Sequence, residues 1–254
     1  MMEIDINCDM GEGFGRYSIG NDEALFPFIT SANIACGFHA GDPQVMRRTV
    51  QLAKEHHVAI GAHPGFYDLV GFGRREMKVG HEQLFADLVY QIGALEAFAR
   101  IEGVSVRHVK LHGALYNMAH RDRSLAEVVV EAVAAVNPGL LLYTLPGGAL
   151  REEAIRCGLA TAAEFFADRT YQDDGSLTQR QHPQAMVHDP AQAAARVIRM
   201  LREGVVESVN GTVIPMKAET VCIHGDEQTA VAFAREIRSR LDQEGIVVRA
   251  IERA

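Results

Sequence analysis

No CxxC pair joins any of the four cysteines Cys8, Cys36, Cys157 and Cys222, and a disulfide framework is therefore not expected. The opening residues Met1-Met-Glu-Ile-Asp5 lack a basic and apolar leader. No apolar run approaches the ~20 residues of a membrane helix. Together these absences predict a reduced, cytoplasmic protein with no membrane contact. Basic residues are in the minority, 25 against 33 acidic, for a net charge of -8. Because phosphate backbones are held by clustered Lys and Arg, nucleic acid is not an expected partner, whereas a small molecule is. Apolar residues are plentiful: 48% of 254 residues is ample for a core without covalent staples, in one barrel or two smaller domains.

The chain is organised around Ser31-Ala-Asn-Ile-Ala-Cys-Gly-Phe-His-Ala-Gly-Asp42, an apolar run that stops in glycine, histidine and aspartate ahead of Pro43. Asp42 can cap a helix whose first position Pro43 fills, so the stretch reads strand, turn, helix, with Asn33, Cys36 and His39 at the strand's end. Thr220-Val-Cys-Ile-His-Gly-Asp226 repeats the construction, with Asp226 as cap of a helix from 227 to 241. Val58-Ala-Ile-Gly-Ala-His63 and Val106-Arg-His-Val-Lys-Leu-His112 also end in histidine. Four strand ends thus deliver His39, His63, His112 and His224.

In chain order, Glu3-Ile-Asp-Ile-Asn-Cys-Asp9 alternates apolar and polar residues, which sets Asp5, Asn7 and Asp9 on one face. Met10-Gly-Glu-Gly-Phe-Gly15 resembles a phosphate loop only superficially, since it lacks a GK[ST] and is flanked by Asp9 and Glu12. Glycine-rich 64–76, with Arg74 and Arg75, reads as a substrate loop or lid. Lys110 and His112 share a strand face, and Glu164, Asp168 and Arg169 join the strand-end set. The aperiodic stretch 172–189 reads as a second long loop. Asp189-Pro190 opens another helix, and Asn210-Gly211 between alternating residues signals a type I′ hairpin over 205–214. The last extended run is placed at 246–251.

Seven core strands are expected, at 3–8, 31–36, 58–62, 106–111, 140–144, 160–165 and 220–223. Their alternation with helices predicts parallel strands joined by right-handed crossovers. An open doubly wound sheet would gather its polar residues at one switch point, whereas here nearly every strand end contributes. The expected fold is an irregular seven-stranded parallel (β/α) barrel forming a single domain over 1–254, with the hairpin as a small insertion.

Five stretches carry a closer likeness: Asp5-Ile-Asn-Cys-Asp-Met-Gly-Glu-Gly13, the run from Asn33 to Asp42, Gly61-Ala-His-Pro-Gly65 with Gly71-Phe-Gly-Arg-Arg75, Val109-Lys-Leu-His-Gly-Ala-Leu-Tyr-Asn117 and Glu164-Phe-Phe-Ala-Asp-Arg-Thr-Tyr171. In these the chain resembles the LamB/YcsF family nearly end to end. The resemblance implies a barrel similar to the glycoside hydrolase and polysaccharide deacetylase superfamily. It also implies the A subunit of an enzyme that opens the lactam of 5-oxoproline to L-glutamate with hydrolysis of ATP, with Mg, to ADP and phosphate, beside B and C subunits. Such chemistry needs a general base, donors for developing oxygen charge and a cation for the substrate carboxylate. The expected catalytic residues are Asp9, Glu12, His63, Lys110 and His112. Asn7, Asn33, His39, Arg75, Glu164, Arg169 and His224 are expected to bind substrate. Cys36 reads as a buried structural cysteine rather than a nucleophile. Two alternatives stay open: a metal-dependent carbohydrate hydrolase or deacetylase, with a divalent ion at the barrel mouth, and a noncatalytic 5-oxoproline-binding subunit.

Overall fold

The computed structural model describes residues 2–226 and 229–252. Its elements are β1 (Glu3–Met10), α1 (Asp22–Leu25), β2 (Ser31–Ala35), α2 (Pro43–Glu55), β3 (Ala59–His63), α3 (His81–Ile101), β4 (Val106–Lys110), α4 (Gly113–Arg121) and α5 (Arg123–Val136). They continue with β5 (Leu141–Thr144), α6 (Gly148–Arg156), β6 (Thr161–Phe166), α7 (Pro190–Glu203), β7 (Val205–Glu207), β8 (Val213–Pro215), β9 (Thr220–Ile223), α8 (Ala230–Gln243) and β10 (Val247–Val248).

Period-two alternation sorts β1 onto two faces. Ile4, Ile6, Cys8 and Met10 join the apolar core, while Asp5, Asn7 and Asp9 meet polar partners from other strands across the barrel axis. The parallel ladder runs β1-β2-β3-β4-β5-β6-β9 and closes by pairing β9 with β1, giving a seven-stranded barrel. Each expected core strand is present with its ends within about two residues, the usual scatter of strand boundaries. Helices follow from their caps: the Asp42 carboxylate accepts from the Gln44 and Val45 N–H groups, Asp122 from Ser124 and Leu125, and Asp189 from Ala191. The buried faces of α3 (Leu84, Leu88, Ile92, Leu95, Ala99) and α5 (Leu125, Val128, Val129, Ala132, Val133) recur at helical spacing and pack into the core.

Three local expectations need correction. Among the described residues the Asp226 carboxylate pairs with Arg74 and α8 starts at Ala230 after Thr229, while Glu227, where that helix was expected to begin, lies outside the described residues. The β7–β8 ribbon is joined by a type I turn and bulge rather than a type I′ turn, because Asn210 keeps negative φ and only Gly211, at 81°, is left-handed. The run at 246–251 contributes just two paired residues, beside Glu3 and Ile4.

A shift in register between Ile60 and Gly61 leaves Arg107 unpaired and exposed. This bulge brings His108 beside Gly61 and turns His108 and Lys110 into the barrel. Among the described residues, no helix is long and apolar enough to cross a membrane.

Candidate active site

The inward residues of β1, β2, β4, β5, β6 and β9 build one hydrogen-bonded column. At its base Asp5 accepts from the hydroxyls of Thr30 (2.6 Å), Ser31 (2.7 Å), Tyr143 (3.0 Å) and Thr220 (2.5 Å). One layer up, the Asn33 amide donates to Asn7 Oδ1 (2.6 Å) and Asp9 Oδ1 (2.9 Å), and Asn33 Oδ1 faces His108 Nε2 at 2.8 Å. Lys110 stands in the middle, its Nζ 2.7 Å from Asp9 Oδ1, 3.2 Å from Glu164 Oε1 and 2.9 Å from Cys222 Sγ. Tyr116, from α4, donates to Glu164 Oε2 at 2.8 Å.

Above this lies the histidine cluster. His63 Nε2 is 3.3 Å from Asp9 Oδ2 and 2.9 Å from His112 Nδ1. His39 stacks on His112 with centroids 3.6 Å apart and sets Nε2 3.3 Å from Glu12 Oε1. Burial opposes the Lys110 charge, yet Asp9, Cys222 and Glu164 hold its pKa well above the ordinary value. Burial would also lift the Asp9 carboxyl, but His63 and Lys110 outweigh it and hold it well below the usual carboxylate range. Glu12 goes the other way, pushed up by burial and then by the Asp9 charge. His39 and His112 are lowered, chiefly by burial, and so favour the neutral ring.

The loop 64–76 closes the mouth. Gly73 has φ of 63°, and a Cβ there would lie 2.7 Å from both His112 Cδ2 and His39 Cβ, so only a glycine backbone can lie this close to the rings. The lid is tied to the far side by Arg74, whose Nη2 is 2.7 Å from Asp226 Oδ2.

Asp9, Glu12, His63, Lys110 and His112 therefore meet in one buried network, with Asn7, Asn33, His39 and Glu164 in contact with it. His224 stands at its margin, bound through Nδ1 to Asp168 Oδ2 at 2.7 Å and stacked on Phe166. Two residues expected in the site are elsewhere. Arg75 folds back onto Asp68 within the lid, and it is Arg74 that faces the mouth. Arg169 donates to the carbonyls of Thr178 and Ala185 and so fastens the long loop. Burial pushes the Cys36 thiol up to about 12, and its Sγ lies 3.2 Å from the Ile34 carbonyl. His108 and Tyr116 are not among the expected site residues, although His108 sits two residues before Lys110 on the same face and Tyr116 one helical turn after His112, and Arg74 is expected only as part of the loop. A separate cavity of about 440 Å³, lined by Thr170, Met186, Arg196, Val206 and Ser208, holds none of these groups.

The LamB/YcsF family model matches residues 4–254. The 5-oxoprolinase A subunit of Geobacillus kaustophilus (strain HTA426) is 56% identical over 253 residues, covering 100% of this chain and 98% of its own. That of Bacillus subtilis (strain 168) is 53% identical over 99% of this chain and 98% of its own. Among solved structures, the lactam utilization protein from Thermus thermophilus superposes with a TM-score of 0.94 at 48% identity, over 98% of this chain and 100% of that one. A putative cellobiose-phosphate cleavage protein from Enterococcus faecalis V583, at 12% identity and a TM-score of 0.58 over 97% of this chain and 96% of that one, shares the fold.

Proposed function

Because the chain belongs to the LamB/YcsF family, we propose that it is the A subunit of a 5-oxoprolinase and holds the pocket in which the lactam of 5-oxoproline is opened to L-glutamate. The observation that carries this reading is the buried ammonium of Lys110 between Asp9 and Glu164, beneath three histidines and a closing lid.

A lactam is a resonance-stabilised amide, so its oxygen is first phosphorylated. Water then adds to the ring carbon, the C–N bond breaks as the nitrogen takes up a proton, and a second water releases phosphate from the γ-glutamyl phosphate so formed. The phosphorylation belongs to ATP hydrolysis. The turn at 10–15 is a poor phosphate cradle, since Asp22 Oδ2 takes the N–H of Gly11, Asp42 Oδ2 takes that of Gly15, and Asp9 and Glu12 add negative charge. In this reading ATP, with Mg, is handled in the assembled enzyme with subunits B and C, and this chain acts on the activated lactam. Lys110 faces the charge that develops on oxygen, where a buried cation acts without reorganisation. Asp9, ionised and already linked to His63, is the acceptor for the proton of the attacking water. Asn7 and Asn33 hold Asp9 and Lys110 in register. The lid excludes bulk water and has to open for substrate to enter.

The test is reconstitution. Glutamate release from 5-oxoproline is expected to require ATP, this chain and its B and C partners together. Full turnover by B and C without this chain would refute the assignment, and robust ATP-dependent turnover by this chain alone would refute the division of labour.

A further inference from the structure

Backbone carbonyls fix the tautomers of two histidines in the cluster. His63 Nδ1 lies 2.7 Å from the carbonyl of Lys110, and His112 Nε2 lies 2.8 Å from that of Phe72. A carbonyl only accepts, so both of those nitrogens carry the proton. The remaining nitrogens, His63 Nε2 and His112 Nδ1, are thereby turned on each other at 2.9 Å, with Asp9 Oδ2 also 3.3 Å from His63 Nε2. Two acceptors at that separation repel unless a proton or a cation lies with them. Glu12 Oε1 is 3.5 Å from His112 Nδ1 and 3.3 Å from His39 Nε2. His39 is fully buried, and its Nδ1 has no hydrogen-bond partner among the described residues. One ligand atom from each of the four residues fits within a 4.8 Å span. Ligands about 2.0–2.2 Å from a tetrahedral zinc stand about 3.4 Å apart, close to the spacings here. The Lys110 ammonium is already taken up by Asp9 and Glu164, so the Glu12 carboxyl is left to the rings of His39 and His112.

We propose that Glu12, His39, His63 and His112 form a binding site for one transition-metal dication of the zinc class. Three imidazoles and a carboxylate are the donors such an ion takes, and the carbonyls behind His63 and His112 are the outer contacts that orient ligating rings. A dication here supplies a Lewis acid beside Lys110. The inference rests on the lactam-opening reading only for that use, and binding is measured without lactam, so either can fail alone.

Chain washed with a chelator is titrated with Zn²⁺ or Co²⁺ alone. The expected result is one equivalent bound, a raised melting temperature, visible absorption of tetrahedral Co²⁺, and ¹⁵N shifts at His63 Nε2 and His112 Nδ1 in the unaltered chain. Glu12→Gln, which keeps the side chain's shape, and His112→Asn are expected to weaken binding at least tenfold. Failure of either ion to bind saturably at one equivalent would overturn the proposal, as would unchanged affinity in both variants. So would a strongly downfield proton shared by His63 and His112 that persists at saturating Zn²⁺.

Discussion

Lys110 Nζ sits 2.7 Å from Asp9 Oδ1, a buried ion pair between strands about a hundred residues apart in sequence, and Glu164 Oε1 flanks it at 3.2 Å. Removing the ammonium strands two carboxylates in the barrel interior. Lys110→Met is expected to destabilise the chain by about 3–5 kcal/mol and to lower turnover of the reconstituted enzyme on the order of a hundredfold. Adding Glu164→Gln is expected to restore part of the stability and none of the activity. Chemical denaturation and glutamate release check both, and a stable, fully active Lys110→Met complex would show that this lysine is dispensable.

The lid hangs on a pair nearer the surface, Arg74 with Asp226. Such pairs contribute about 0–1 kcal/mol globally, so Arg74→Ala is expected to leave the melting curve nearly unchanged. Locally it is expected to speed hydrogen exchange at the Gly73 and Arg74 amides, which bond to the carbonyls of Asp68 and Gly71. Exchange rates equal to the parent's would show that the pair does not hold the lid.

His108 makes stability fall with acid. Burial first, and the Lys110 charge second, lower its pKa to about 3, against about 6.5 in an unfolded chain. Between those values the unfolded form binds a proton that the folded form refuses. The contribution is therefore complete above pH 6.5 and is lost as pH falls toward 3, at up to about 1.4 kcal/mol per pH unit. His39 and His112, also lowered, act in the same direction. Denaturation between pH 7.5 and 4.5 is expected to show this slope, shallower by about one proton in His108→Gln. An identical slope in that variant would contradict a neutral buried His108.

Gly61 leaves the room that His108 occupies: a Cβ there would fall 2.0 Å from His108 Nε2. Gly61→Ala is expected to drive the ring off Asn33 and off its stack on Tyr143, costing about 1–3 kcal/mol. Unfolding at the parent's denaturant midpoint would exclude the clash.

Much of this was legible in local pattern. Alternation in β1, the aspartate-proline helix starts and histidines at strand ends are short-range signals, and they placed the seven strands, the lid and most of the histidine cluster. What stayed hidden depends on register between distant segments. Arg74 and Arg75 are identical neighbours, and only the lid's turn at Phe72 and Gly73, both with positive φ, decides which one reaches Asp226 and which folds onto Asp68. Arg169 follows a site-bearing strand, yet the loop carbonyls of Thr178 and Ala185 capture it. Tyr143 reads as one more apolar strand residue until its hydroxyl meets Asp5 from 138 positions away. The bulge at Arg107, which turns His108 and Lys110 inward, leaves no mark in composition.

The seam between β1 and β9 also governs how the molecule comes into being. Asp5 to Cys8 pair with Thr220 to Ile223, and the Thr220 hydroxyl reaches a carboxylate 215 residues earlier. At about 5–20 residues per second, β1 leaves the ribosome roughly 10–40 s before its closing partner exists. Throughout that interval one edge of β1 is an unpaired template, and contacts of such long range also slow closure once the chain is complete. The nascent chain, more than the finished barrel, is thus the form that needs chaperone protection.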